Sequence, residues 1–303
     1  MLNWRCGLVL LAVSFRVSSA ELAVDIAPNS TINDPPAQYY CTAADSKFYE
    51  KVVQLVQGIN QHNGEQVAKI LVFDLGFTKA QRQALAQLPK VALRQITNPH
   101  PAVLTMFKTG LIKPGLNRYV RGWFMWKPLV LKQALDECPY IFYIDSAIEI
   151  YGPLTNLFRH IIQQGYFLVA CDCSSVQERV THYVKTHLIN KLDPTYKELF
   201  LTGDCGLLSA GVQGLSRQYL EQYLLPVVAL TQEPKFFADD GTAQLGFGAG
   251  RHDQVLFSIY AHLNRMQIHQ SGWMDLELGG GQRAKMHAHW HRKELHSQSA
   301  FKY

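Results

Sequence analysis

Three features of the sequence predict an α/β domain built on a mainly parallel sheet flanked by helices. Apolar runs at Ile70-Leu71-Val72-Phe73, Tyr140-Ile141-Phe142-Tyr143-Ile144 and Tyr166 to Ala170 have the length of buried strands, and segments with helical spacing separate them. With 303 residues, 48% apolar and 17% charged, the chain has the material for one sizeable core. No Pro/Gly/Ser-rich linker divides the middle and no internal repeat is visible, so a single domain with appendages is predicted.

Residues 1–20 read as a signal peptide. Arg5 precedes an apolar run from Cys6 to Phe15, and the small residues Ser18 and Ala20 fit a cut after Ala20. A helix of that run would reach only about 15 Å, against a hydrocarbon core of about 30 Å. No other stretch is apolar enough to span a bilayer. The expectation is a chain in the secretory pathway, lumenal (ER/Golgi) or secreted, with no permanent membrane span. Cleavage would remove Cys6 and leave Cys41, Cys138, Cys171, Cys173 and Cys205, an odd number in a compartment that permits disulfides. Cys171-Asp172-Cys173 is too closely spaced for a structural zinc site, so buried strand cysteines are the simpler reading. Asn29-Ser30-Thr31 fits a glycan acceptor in a eukaryotic host. The net charge of +5 is scattered and does not call for nucleic acid.

Residues 21–45, with Pro28, Asn29, Pro35 and Pro36, read as an extended lead-in, which would start the domain at residue 46 and run it to 270. Phe48, Val52, Val53, Leu55, Val56 and Ile59 have helical spacing, and the strand Ile70–Phe73 ends in Asp74-Leu75-Gly76. Thr78 caps a helix through Leu88, and Val91 to Ile96 offers a second strand. Between Thr97 and Trp126 the pattern is lost among Pro99, Pro101, Gly110, Pro114, Gly115 and Gly122, which predicts a long functional loop carrying Arg118, Tyr119, Arg121 and Trp123. Lys127-Pro128 opens the next helix. The strand 140–144 delivers Asp145, a helix covers Pro153 to Gln164, and a strand follows. The second half adds Gly206 to Val212, a helix from about Ser216, a glycine-rich loop from Gly241 to Gly250, a helix from about Asp253 to Asn264, and a histidine-rich segment at 271–303.

In parallel sheets ligands bind beyond the carboxyl ends of the strands, so Asp74 and Asp145 are the first places to look for chemistry. Trp126-Lys127-Pro128-Leu129 followed by Ile144-Asp145-Ser146-Ala147 resembles the GT-A (Rossmann-like) nucleotide-diphospho-sugar glycosyltransferases. The likeness is to a branch that pairs a Trp-Lys-Pro helix start with a degenerate Asp-x-Asp motif. It extends back to Val72-Phe73-Asp74-Leu75-Gly76-Phe77 and forward to Arg251-His252-Asp253-Gln254, over roughly Phe48 to Leu263.

The resemblance implies transfer of a sugar from a nucleotide-diphosphate donor, a UDP-sugar by preference, to a glycan or protein hydroxyl with the help of Mn²⁺ or Mg²⁺. Asp145 would be the metal ligand; its other reading is an Asp that ends a strand in a turn. Ala147 leaves the signature with one carboxylate. Glu149, on the same strand face, stands about 7 Å further along and reads as solvated. His287 and His289, in His287-Ala288-His289-Trp290-His291, are candidates to replace the lost ligand, with solvated tail histidines as the alternative. Lys127, at a helix start, would serve the donor phosphates or be a surface lysine. Arg118 and Arg121 are donor-binding candidates of the same kind. Asp74 contacts the nucleotide or holds the turn before Gly76. Gly211, in Ser209-Ala210-Gly211, lets backbone approach the sugar or marks a bulge. Asp253 is the catalytic candidate, facing sugar or acceptor, with an N-cap as its structural alternative. Ala147 also motivates a rival from another class, a catalytically inactive secreted binding protein of the same fold. A hydrolase is disfavoured, because neither a Gly-x-Ser-x-Gly elbow nor a His-Glu-x-x-His helix is present.

Overall fold

Strand structure begins earlier than the sequence suggests. The computed structural model describes residues 34–288 except 98, 114–115, 151, 172–178, 193, 247–250, 270–275, 279–281 and 285. β1 (Gln38–Ala44) lies in the stretch expected to be an extended lead-in, and it pairs in parallel with both β2 (Val67–Asp74) and β6 (Tyr140–Ile144). Residues 38–44 therefore form part of the main sheet and not an extended lead-in. Gln38-Tyr39-Tyr40-Cys41-Thr42 hid the strand because its Gln and Thr are polar by type yet fully buried: the Tyr40 hydroxyl donates to Gln38 Oε1.

Between β1 and β2 lies α1 (Tyr49–Asn63), as its apolar spacing predicts. α2 (Lys79–Ala86) starts at Thr78, whose side chain and that of Gln81 satisfy each other's backbone amides in a capping box. β3 (Val91–Arg94) follows. The predicted irregular loop instead contains a hairpin, β4 (Met106–Lys113) and β5 (Leu116–Arg121), which opens into α3 (Trp126–Glu137). After β6 come β7 (Ile148–Ile150), α4 (Thr155–Gln164) and β8 (Tyr166–Ala170). Three short helices, α5 (Val180–Tyr183), α6 (Thr186–Lys191) and α7 (Pro194–Thr202), lead to β9 (Leu208–Ser216). The helix expected from Ser216 begins as 3₁₀ and π turns before α8 (Leu225–Leu230). α9 (His252–Leu263), β10 (Ile268–His269), β11 (Leu276–Leu278), β12 (Gln282–Ala284) and β13 (Met286–Ala288) complete the order.

Among the described residues the main sheet has seven strands in the order β10-β8-β9-β6-β1-β2-β3. Only β9 runs antiparallel to its neighbours. Strand alternation sorts the side chains onto two faces. Tyr40, Ala44, Ile70, Val72, Phe142 and Ile144 meet α1 and α4, whereas Cys41, Ala43, Leu71, Phe73, Ile141 and Tyr143 meet α3, α8 and α9. Cys41, Cys138 and Cys205 are buried thiols outside disulfides. No described helix is long and apolar enough to cross a membrane.

The hairpin joins α3 through a left-handed turn. Gly122, Trp123 and Phe124 have φ of 55°, 45° and 64°, a conformation that costs a side-chain-bearing residue about 1–2 kcal/mol. The turn is held from below, where a Cβ on Gly122 would stand 2.0 Å from the Val103 carbonyl oxygen. Gly122→Ala is expected to destabilise the fold by about 2–4 kcal/mol, through backbone overlap and φ strain together. A chemical-denaturation curve for the variant checks this; an unchanged midpoint would contradict the turn.

Candidate functional site

Residue 145 continues the alternation of β6, so its side chain falls on the same face as Tyr143, toward α3 and α9. Spacing of two along a strand brings such side chains together, and the Tyr143 hydroxyl donates to Asp145 Oδ1 at 2.6 Å. The Asp145 amide donates to the Gly211 carbonyl at 2.8 Å, tying the end of β6 to β9. A Cβ on Gly211 would lie 2.8 Å from Asp145 Oδ2, so a side chain there would force the carboxylate to shift. The Asp145 side chain is 37% exposed.

Lys127, in the first turn of α3, is not a surface residue. Its side chain is 4% exposed, and Nζ lies 3.1 Å from Asp145 Oδ1, 3.5 Å from Asp253 Oδ2 and 3.1 Å from the Ala210 carbonyl oxygen. Burial opposes its charge, but the Asp145 and Asp253 carboxylates outweigh burial and raise its pKa. Asp253, 6% exposed, is the more strained partner. Burial pushes its carboxyl up to about 6; the Lys127 charge opposes the shift and the Asp145 charge adds to it. The approach of Lys127 is an ion contact, and Oδ2 has no hydrogen-bond partner.

Asp253 is held in place by its helix. Gln254 Nε2 donates to the Leu208 carbonyl at 2.6 Å and Ser258 Oγ accepts from the Leu208 amide at 2.9 Å, which fastens α9 to the start of β9. His252 Nδ1 meets the Phe237 carbonyl at 2.7 Å. The buried Lys185 ammonium donates to the carbonyls of Lys235, Phe236 and Ala238, fixing the segment that leads toward α9.

The structure thus brings Lys127, Asp145, Gly211 and Asp253 together at the carboxyl end of the sheet. Other candidates stand apart. Asp74 is two strands from Asp145, roughly 10 Å across the sheet, and its carboxylate is occupied: Oδ1 accepts the Gly76 and Phe77 amides, each at 2.7 Å, and Oδ2 accepts Arg82 Nε at 2.5 Å and Gln95 Nε2 at 3.0 Å. Of its two readings, the turn residue is the one this geometry matches. Burial works against its ionisation, and the Phe77 amide, Arg82 and the Gly76 amide together overcome it and lower its pKa.

Arg121 donates to the Leu104 carbonyl at 2.7 Å and to Asp45 Oδ2 at 3.3 Å, pinning the hairpin to the end of β1. The Arg118 backbone stands opposite Thr109 in that hairpin; its side chain lies outside the described residues. His287 stands opposite Glu149 in the β13–β7 ladder, so the histidine-rich segment returns beside the strand that follows Asp145. The His287 side chain and all of His289 lie outside the described residues.

No protein-family model matches the sequence, and no curated protein is similar to it. Solved structures share the coarse arrangement. The galactosyltransferase LgtC, in complex with donor and acceptor sugar analogues, is 12% identical over 74% of this chain and 70% of its own, with a TM-score of 0.43. Core-mannan synthase A from Aspergillus fumigatus, in a Mn/GDP form, is 12% identical over 78% and 72%, with a TM-score of 0.43. Mouse xyloside xylosyltransferase 1 is 14% identical over 78% and 85%, with a TM-score of 0.44. Likeness at this level is too loose to place the chain in a family.

The expected metal centre meets an obstacle at these residues. Among the described residues no group of three or more His, Cys, Asp or Glu gathers as a metal set. The two carboxylates that do converge, Asp145 and Asp253, are already bridged by an ammonium. Among the described residues these donors do not by themselves fit Mn²⁺ or Mg²⁺.

Two polar partners escaped the sequence reading, one in the constellation and one beside Arg121. Tyr143 was legible from its spacing of two before Asp145, and Asp45 was hidden with the unread β1. Asp253 also makes a pH prediction. Its folded pKa of about 6 exceeds its ordinary value of 3.8, so the folded state binds the extra proton and loses stability as pH rises from about 4 to about 6. Asp253→Asn, which cannot ionise, is expected to gain stability relative to the parent chain across that window. Denaturation midpoints of both proteins at pH 4, 5, 6 and 7 check it, and parallel profiles would refute it.

Proposed function

We propose that the chain is a glycosyltransferase of the GT-A kind, which moves a sugar from a nucleotide-diphosphate donor, a UDP-sugar by preference, to a glycan or protein hydroxyl in the secretory pathway. The observation that carries this reading is the convergence of Asp145, Lys127, Asp253 and Gly211 at the carboxyl end of a mainly parallel sheet, where such folds bind ligands. The sequence resemblance around Trp126–Leu129 and Ile144–Ala147 supports it independently. Asp145 is a partly exposed carboxylate beside a glycine, a pairing suited to sugar hydroxyls that must come close to backbone. Asp253, with a pKa near 6, has the proton affinity of a group that exchanges protons near neutral pH, and takes the catalytic role. Arg121, at the ends of β1 and β2, serves the nucleotide side.

The single carboxylate left by Ala147 favours one second reading, a secreted binding protein that holds the same ligand without turning it over. Calorimetric titration of the purified chain with UDP, GDP and their hexose conjugates is the test. One nucleotide series is expected to bind, and Asp145→Asn is expected to weaken its sugar conjugate at least 10-fold, about 1.4 kcal/mol. Binding without release of sugar to water or acceptor would select the second reading. Absence of binding to every nucleotide would reject both.

A further inference from the structure

A cation held between two carboxylates is the arrangement by which proteins also hold divalent metals, and here the cation belongs to the chain. Lys127 Nζ sits within 3.1 Å of Asp145 Oδ1 and of the Ala210 carbonyl oxygen, and 3.5 Å from Asp253 Oδ2. The ammonium donates to the Ala210 carbonyl, and the two carboxylates lie at ion-contact distance from it. The rest of its shell is aromatic: the rings of Tyr143, Trp126 and Phe124 have their centroids 5.2, 5.5 and 5.7 Å from Nζ, each close enough for its quadrupole to favour a cation. Hard divalent ions need six or more oxygens, at about 2.0–2.6 Å. This cage supplies three oxygens at ammonium distances and closes the other sides with carbon. Ala147 fits the same picture, since a second motif carboxylate would have no metal to bind.

We propose that the Lys127 ammonium is the built-in counter-cation of this site: it stands where a divalent metal would bridge Asp145 and Asp253, so ligand binding at Asp145 needs no divalent metal. The second half of that statement rests on the nucleotide-sugar reading above; the first half does not. The Lys127 charge cannot leave with product or be stripped by a chelator.

The test has two arms on the full chain. In the first, the free Mn²⁺ signal in electron paramagnetic resonance is followed during titration of the parent chain, Asp145→Asn, Lys127→Ala and the Lys127→Ala/Asp145→Asn double variant. The parent and Asp145→Asn are expected to bind Mn²⁺ equally. Lys127→Ala frees two facing carboxylates and is expected to gain a site at least 10-fold tighter than any in the parent, lost again in the double variant. A parent Mn²⁺ site abolished by Asp145→Asn would overturn the proposal, and that comparison does not depend on whether the Lys127 variants fold.

In the second arm, calorimetric binding of UDP and GDP is measured in EDTA and in Mn²⁺. Affinities equal within about 2-fold support the proposal. Binding that appears only with Mn²⁺ overturns it and leaves the transferase reading intact. No binding in either buffer rejects the transferase reading, and the Mn²⁺ titration then decides on the counter-cation alone.

Discussion

The ammonium of Lys127 is the constraint on which the site depends. A buried charge without partners costs several kcal/mol, so its surroundings must be built before it is tolerated. Here the partners come from three separate elements: Asp145 from the end of β6, the Ala210 carbonyl from β9, and Asp253 from α9. Removing any one would leave the others unbalanced in a region of low dielectric. The cluster therefore acts as a fastener between the sheet and the two helices on one of its faces, whatever ligand the exposed edge of Asp145 receives.

Sheet parity decides which residues join that cluster. Because side chains alternate along β1, β2 and β6, every second residue faces α3 and α9, and Tyr143 and Asp145 share that parity. The antiparallel β9 lies beside β6 and brings Gly211 under Asp145. A one-residue slip in β6 would turn Asp145 to the α1 and α4 face and set Ile144 among the polar groups.

How far this was legible in the sequence follows from the kinds of signal involved. β2, β6, α3 and α9 were readable because their apolar residues keep one period over a long enough run, and Asp145 was readable because it stops such a run. β1 was not, since its Gln38 and Thr42 look exposed by type and are buried only because neighbouring strands enclose them. The hairpin was missed because prolines and glycines between 97 and 126 broke every periodic template, although turn-rich sequence is also what a hairpin contains. Lys127 stood out in the sequence, but its burial did not. A lysine at a helix start is usually solvated, and nothing local says that two carboxylates and a carbonyl wait for it inside. Asp74 shows the opposite failure: its place at a strand end suggested chemistry, and four donors from Gly76, Phe77, Arg82 and Gln95 absorb it.

The left-handed turn at Gly122–Phe124 has a geometric consequence for the whole carboxyl edge. It fixes the direction in which the chain leaves the hairpin, and Met125 hands that direction to α3 within one turn of Lys127. On the hairpin side, Phe107 stacks on Trp123 with centroids 3.8 Å apart, and Arg121 reaches Asp45 at the end of β1. The hairpin and the first turn of α3 are thus joined through three residues whose backbone conformation is fixed. A side chain added at Gly122 would therefore disturb the entry of α3, and with it the position from which Lys127 reaches its carboxylates.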